Sequence, residues 1–152
     1  MAQGLIDAAT AKILSERAKV LKDAQDAWND RREVAQGRAS SPALGRALEA
    51  SGVSRPPGYA AHHIVAGRDD PADFARIVLR RFGIGINDAE NGAFLPANRA
   101  TQVIAGETIH STLHSNKYYE AVNDALAMAT TKQEAIDILA RIRQALQAGD
   151  YP

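Results

Sequence analysis

Tyr59-Ala60-Ala61-His62-His63-Ile64-Val65 is the stretch on which the reading of the fold turns. It is short, apolar and compatible with extended backbone. It follows the rigid turn Arg55-Pro56-Pro57-Gly58 and stops at Gly67, so a strand is expected over 60–66. A second short strand is expected at Ala93-Phe94-Leu95-Pro96, behind the turn-rich segment 87–92 and closed by its proline. Successive side chains of a strand leave on opposite faces, so His62 and His63 should look to different sides.

Helical periodicity dominates on both sides of this pair. Upstream, Ile6, Ala9, Ile13, Leu14, Leu21, Ala24, Trp28 and Val34 recur at helical spacing with charges between them, which predicts one long amphipathic helix over 5–35. Trp28 is expected to pack in the core or between this arm and the rest. Gly37, Ser40, Ser41 and Pro42 end the arm, and Pro42 opens a short helix over 43–50. Asp70 as N-cap and Pro71 in the first helical position start another helix, which runs to Phe82 and stops at Gly83. From Gly106 the pattern reads as helix again, with Ser115 able to cap 116–129. Thr131 and Glu134 form a capping box for a last helix, whose apolar face is Ile136, Leu139, Ile142 and Leu146. The fold class is therefore mainly α with a small β hairpin.

The chain has 152 residues, 45% of them hydrophobic and 24% charged, which is ordinary for a globular protein. Eighteen Lys and Arg balance eighteen Asp and Glu, which argues against coating nucleic acid by bulk charge while leaving room for a local basic cleft. There is no cysteine, so disulfides, thiolate chemistry and Cys-based metal sites are excluded. A transition-metal site would have to use His and carboxylate. No apolar run approaches the ~20 residues that span a bilayer, so no membrane partner is expected. The first twenty residues lack a basic segment followed by an apolar one, so a Sec-type signal is not expected.

All four histidines lie between positions 62 and 114. His110 and His114 are four apart in a predicted helix, which places both imidazoles on one face within reach of one metal ion. One of His62 and His63 can face that ion, and the other can face a substrate. This division suits phosphodiester hydrolysis. A divalent ion stabilises charge on the phosphorane, a neutral imidazole takes a proton from water, and a third group fixes that imidazole's orientation. An Asn carbonyl can do the last, and the turn before Phe94 offers Asn91. A rival is a binding module with a structural His-ligated zinc, but a structural site is closed by four protein ligands. Three well-placed histidines and a spare fit an open site better. A third reading is a helical adaptor whose histidines merely pack.

Ala61-His62-His63-Ile64-Val65, then Asn91-Gly92-Ala93-Phe94-Leu95-Pro96, then His110 and His114 followed by Ser115 and Tyr118-Tyr119, resemble the AHH family of bacterial toxin nucleases, within the HNH or ββα-metal endonuclease superfamily. Leu44-Gly45-Arg46 and the segment from Gly52 to Pro57 fit its lead-in. The resemblance covers about residues 41–126. It implies a ββα-metal core with flanking helices and a metal-dependent endonuclease, with DNA favoured. His62, His110 and His114 would be metal ligands, His63 the general base, and Asn91 the residue that orients it. Three neutral histidines suit Zn²⁺, Ni²⁺ or Mn²⁺ better than Mg²⁺, which prefers oxygen. The resemblance further implies the toxic domain of an antibacterial effector. Such a domain would be exported without a signal peptide or within a larger secreted protein, act in the target-cell cytoplasm, and be held by an acidic cognate immunity protein. Ala66 departs from the Pro that many relatives have after the strand.

The organisation expected from this is a helical arm over 1–40, a nuclease core over 41–130, and a C-terminal helix over 131–152 packed on the core. Arg80, Arg99 and Lys117 are the candidates for gripping substrate phosphates. Arg76, Arg80 and Arg81 share one predicted helix and can equally form ion pairs with Asp69, Asp70 or Asp73. Glu107, three before His110, reads either as a helix N-terminal carboxylate or as a water-mediated ligand.

Overall fold

A computed structural model of the chain describes residues 7–30, 38–103 and 106–152. The elements run α1 (Ala8–Asp30), α2 (Ser41–Ala50), β1 (Tyr59–His63), α3 (Asp73–Arg81), β2 (Gly92–Pro96), α4 (Asn116–Leu126) and α5 (Lys132–Ala148), with short 3₁₀ turns between them. The predicted arm over 5–35 is seen as α1; its ends at 5–6 and 31–35, with Ile6 and Val34, lie outside the described residues, as does the side chain of Trp28. Among the described residues no helix is long and apolar enough to cross a membrane.

β1 and β2 form an antiparallel hairpin with Ala61 opposite Phe94, His62 opposite Ala93 and His63 opposite Gly92. The first strand is shorter than the 60–66 expected. Beyond His63 the chain bends away, and Ile64 N instead donates to the Asn91 carbonyl at 2.8 Å. The alternation of the pleat gives the hairpin two different coats. Tyr59, Ala61 and Phe94 pack on Leu44 and Leu48 of α2. Gly92 permits that approach: a Cβ there would sit 2.7 Å from Leu44 Cδ1. The other face and the strand exits join the main core, where Leu95, Ile64 and Val65 meet Val78 and Leu79 of α3, Tyr118, Val122 and Leu126 of α4, and Leu139, Ile142 and Leu146 of α5. Hairpin and α4 together make a small ββα unit, with the other helices around it.

Local signals explain the helix ends. Ser40 accepts from Ala43 N at the start of α2, and Ser115 accepts from Tyr118 N at the start of α4. Thr131 and Glu134 form the reciprocal capping box of α5, and Gly149 closes that helix at φ +77°. Asp70 proves to lie inside a 3₁₀ turn, Asp70–Ala72, rather than at an N-cap, and α3 begins only at Asp73. Against α3, α1 buries Ala24 and brings Asp23 within 3.4 Å of Arg81, while Ile13, Leu14 and Leu21 of its apolar stripe stay exposed.

The largest difference from expectation lies between Gly106 and Ser115. Residues 107–109 are irregular, His110–Thr112 is a single 3₁₀ turn, and the α-helix starts at Asn116. The cause is local. Thr108, Ile109 and Thr112 are β-branched, and the Thr112 hydroxyl donates to the Ile109 carbonyl at 2.7 Å, closing a tight turn with a side chain. Leu113 then drops into the core and Ser115 begins a new helix.

Candidate active site

β1 sends its two imidazoles to opposite faces. His62 points toward α4 and is only 4% exposed. Its Nε2 lies 2.9 Å from the Tyr118 hydroxyl, and that hydroxyl donates to the Ile64 carbonyl at 2.8 Å. With the single phenolic proton committed to Ile64, Tyr118 can only accept from His62, so Nε2 carries the imidazole proton. The unprotonated Nδ1 faces His110 Nδ1 at 3.1 Å. Burial first, then the imidazoles of His110, His63 and His114, lower the His62 pKa to about 3, and burial followed by His114 and His63 lowers that of His110. The group therefore stays neutral, the form that binds metals.

His110 and His114 do not share a helix face, because no helix spans them. They are neighbours nonetheless, with ring centres 5.7 Å apart across the 3₁₀ turn. His110 is half-buried against His62. His114 is exposed and makes only a long 3.4 Å contact from Nδ1 to the Tyr119 hydroxyl.

His63 leaves on the other face, toward α2. Its Nε2 lies 2.9 Å from Asn87 Oδ1, not from Asn91. Burial lowers the His63 pKa, and the Asn87 contact partly offsets this. The expected contact of Asn91 with His63 is thus corrected. Asn91 is fully buried, accepts from Val65 N at 2.8 Å, and donates to the Val65 and Ile86 carbonyls. It staples the exit of β1 to the loop that carries Asn87, and so touches His63 only through the backbone. Asn87 lies in none of the motif blocks, and Tyr118, though it belongs to the block after His114, carries no assigned role there; the fold brings both to the histidines.

His62, His63, His110 and His114 border one open cleft of about 230 Å³, together with Ala39, Gly67, Arg68, Asp69 and the two tyrosines. A second depression shares Ala39 and Gly67 with it and is lined by Arg38, Arg76 and Arg80. Arg76 is engaged, donating to the Ala66 carbonyl and pairing with Asp73. Arg80 thus sits beside the histidine cleft. Arg99 does not: it lines a separate depression with Glu107 and Thr112, which shares no lining residue with the histidine cleft. Lys117 is exposed in the first turn of α4. Glu107 lies in irregular chain, not at a helix start, and its carboxylate is taken by the Tyr59 hydroxyl.

The donor set accommodates a divalent cation in part. Two nitrogens on one tetrahedral ion with bonds of about 2.0–2.1 Å lie roughly 3.3 Å apart. The 3.1 Å between His62 Nδ1 and His110 Nδ1 is close to that spacing. Among the described residues, however, no group of three or more His, Cys, Asp or Glu side chains is already clustered around one point. His62 and His110 form a prepared pair, and His114 would have to turn inward to make a third ligand.

No curated protein and no solved structure matches the chain. A family model does, over residues 44–147, two thirds of the chain and beyond the motif blocks through most of α5. Its description is a nuclease family of the HNH/ENDO VII superfamily with a conserved AHH, and Ala61-His62-His63 at the end of β1 supplies that triplet. The chain belongs to the AHH family of nucleases.

Proposed function

We propose that this chain is a divalent-metal-dependent endonuclease that hydrolyses phosphodiester bonds, with DNA ahead of RNA as substrate. The observation that carries the reading is the 3.1 Å approach of two neutral imidazole nitrogens, His62 Nδ1 and His110 Nδ1, in a cleft that His63 also borders. His62 and His110, with His114 turned inward, would hold the cation. When bound, it supplies Lewis-acid stabilisation of charge on the scissile phosphate and the leaving oxygen.

The chain's own residues do the rest. His63 accepts a proton from water as that water's oxygen attacks phosphorus, and the P–O bond opposite the attack breaks. Neutrality of His63 at working pH, favoured by its burial, keeps it ready to accept. Arg80 and Arg38 grip a phosphate beside the one being cut, since their depression adjoins the cleft at Gly67. Asn91 keeps β1 and the Asn87 loop in register.

The proposed setting is the toxin domain of a secreted antibacterial effector that enters without a signal peptide or within a larger protein and acts in the target-cell cytoplasm. An acidic immunity protein would shield the producer. Family membership supports this setting, and so does the need to protect a producer from its own nuclease.

The test is digestion of supercoiled plasmid and of RNA with Zn²⁺, Ni²⁺, Mn²⁺ or Mg²⁺, each with and without chelator. Metal-dependent cleavage by the wild type, lost by ~10²–10⁴-fold in His63→Ala, is expected. Expression in the bacterial cytoplasm should arrest growth with the wild type and not with His63→Ala. Cleavage that persists in excess chelator overturns the metal role. No cleavage of either polymer with any metal overturns the whole reading.

A further inference from the structure

Asn87 belongs to none of the motif blocks, yet its side chain makes three well-formed contacts. Oδ1 accepts from Ser40 N at 2.8 Å and lies 2.9 Å from His63 Nε2, while Nδ2 donates to the Arg38 carbonyl at 3.0 Å. The oxygen and nitrogen of an amide are interchangeable in shape, but two of these partners are backbone groups with fixed roles. Ser40 N–H can only donate and the Arg38 carbonyl can only accept, so the amide has one satisfied orientation.

That orientation settles the tautomer of His63. The atom facing His63 Nε2 is an acceptor, and two acceptors at 2.9 Å would repel. Nε2 must carry the proton, and the lone pair is left on Nδ1. We infer that Asn87 is the positioning residue of His63, holding its imidazole as the Nε2–H tautomer with Nδ1 as the proton acceptor, and that residues 38–40 take part in the site by fixing the Asn87 amide.

The support beneath Asn87 is itself built. Gly85 N donates to Asp88 Oδ2 at 2.7 Å and Asp88 N to the Gly85 carbonyl at 3.1 Å, closing the turn that carries Asn87. Asn91 Nδ2 holds the Ile86 carbonyl from below at 2.9 Å. Residues 38–40, just before α2, thus reach the catalytic histidine through one side chain. This inference rests on His63 being the base.

The experiment uses the full chain with ¹⁵N-labelled histidine and correlates ring nitrogens with ring protons by NMR on the alkaline side of neutrality. Wild-type His63 should show a protonated Nε2 and an unprotonated Nδ1. Asn87→Ala should give a mixture of tautomers and lower kcat by ~10–10²-fold with KM little changed, because orientation matters in the transition state. Asn87→Asp keeps an acceptor for both Nε2–H and Ser40 N–H but loses the donor to the Arg38 carbonyl, so it should restore the single tautomer and only part of kcat. A protonated Nδ1 in the wild type overturns the inference without any variant. A wild-type kcat in Asn87→Ala, beside an inactive His63→Ala, overturns the positioning role alone. Full activity in His63→Ala overturns the base assignment and the inference with it.

Discussion

The Tyr118 hydroxyl sits 2.9 Å from His62 Nε2 while donating to the Ile64 carbonyl at 2.8 Å, so one phenol orients a buried imidazole and ties it to the strand exit. Burial raises the Tyr118 pKa well above its ordinary value, which keeps the phenolic proton available for this double role. Such an outer partner fixes which ring nitrogen of a ligating histidine is free.

Tyr118→Phe keeps the ring and removes the oxygen, leaving the buried His62 Nε2–H and the Ile64 carbonyl without this partner. Each orphaned group costs ~1–3 kcal/mol. The variant should unfold at lower urea with an unchanged slope, and bind metal ~10–100-fold more weakly by calorimetry. Wild-type metal affinity in a destabilised Tyr118→Phe would confine the hydroxyl to a structural role.

Metal binding to the native state should raise the melting temperature of the wild type. The effect is roughly 3 kcal/mol at about a hundredfold excess of free metal over Kd. His62→Ala and His110→Ala should abolish the rise, since they supply the two nitrogens that already converge. His114→Ala should reduce it less, because that ring is exposed and outside the pair. His63→Ala should keep it. Thermal scans of the four variants with and without metal check the order, and an abolished shift in His63→Ala would exchange the roles of the adjacent histidines.

What is readable in the sequence is what local physics determines. The hairpin is readable because short apolar runs bounded by Pro-Gly and Asn-Gly signals leave little else for the chain to do. Caps at Ser115 and Thr131 with Glu134 are readable because a capping side chain acts within three residues. The segment 106–115 is not. His110 and His114 satisfy a helical period, but β-branched neighbours and the Thr112–Ile109 bond close a tighter turn. Asn91 and Asn87 show the same limit at longer range. Both lie in one turn-rich stretch, and only the path of the backbone decides which amide reaches His63. Tyr118 and Tyr119 are adjacent in sequence, and the rotation of α4 alone decides that Tyr118 meets His62.

Asn91 is the next test, because its contacts are all to backbone. Asn91→Ala leaves Val65 N–H and the Val65 and Ile86 carbonyls without partners in a buried position. A loss of about 3 kcal/mol or more is expected, read as a lower midpoint in chemical denaturation. Activity should fall with it, since both His63 and the Asn87 turn lose their anchor. A variant as stable as the wild type but slow in turnover would return Asn91 to direct action on the base.

The last test concerns the path of the substrate. Arg38 and Arg80 line the depression that shares Ala39 and Gly67 with the histidine cleft, whereas Arg99 lines a separate depression with Glu107 and Thr112. Each Lys or Arg that neutralises a phosphate steepens the salt dependence of binding by roughly 0.9 in log–log slope. Binding of a labelled duplex, followed by anisotropy in the His63→Ala background to prevent cleavage, should therefore weaken in Arg80→Gln and in Arg38→Gln. The salt slope should fall by roughly one in each case, without dependence on base sequence. Arg99→Gln should leave affinity and slope unchanged. If Arg99→Gln flattens the slope and Arg80→Gln does not, the strand runs over the depression that Arg99 lines, and the arginine depression beside Gly67 is a surface feature with no part in binding.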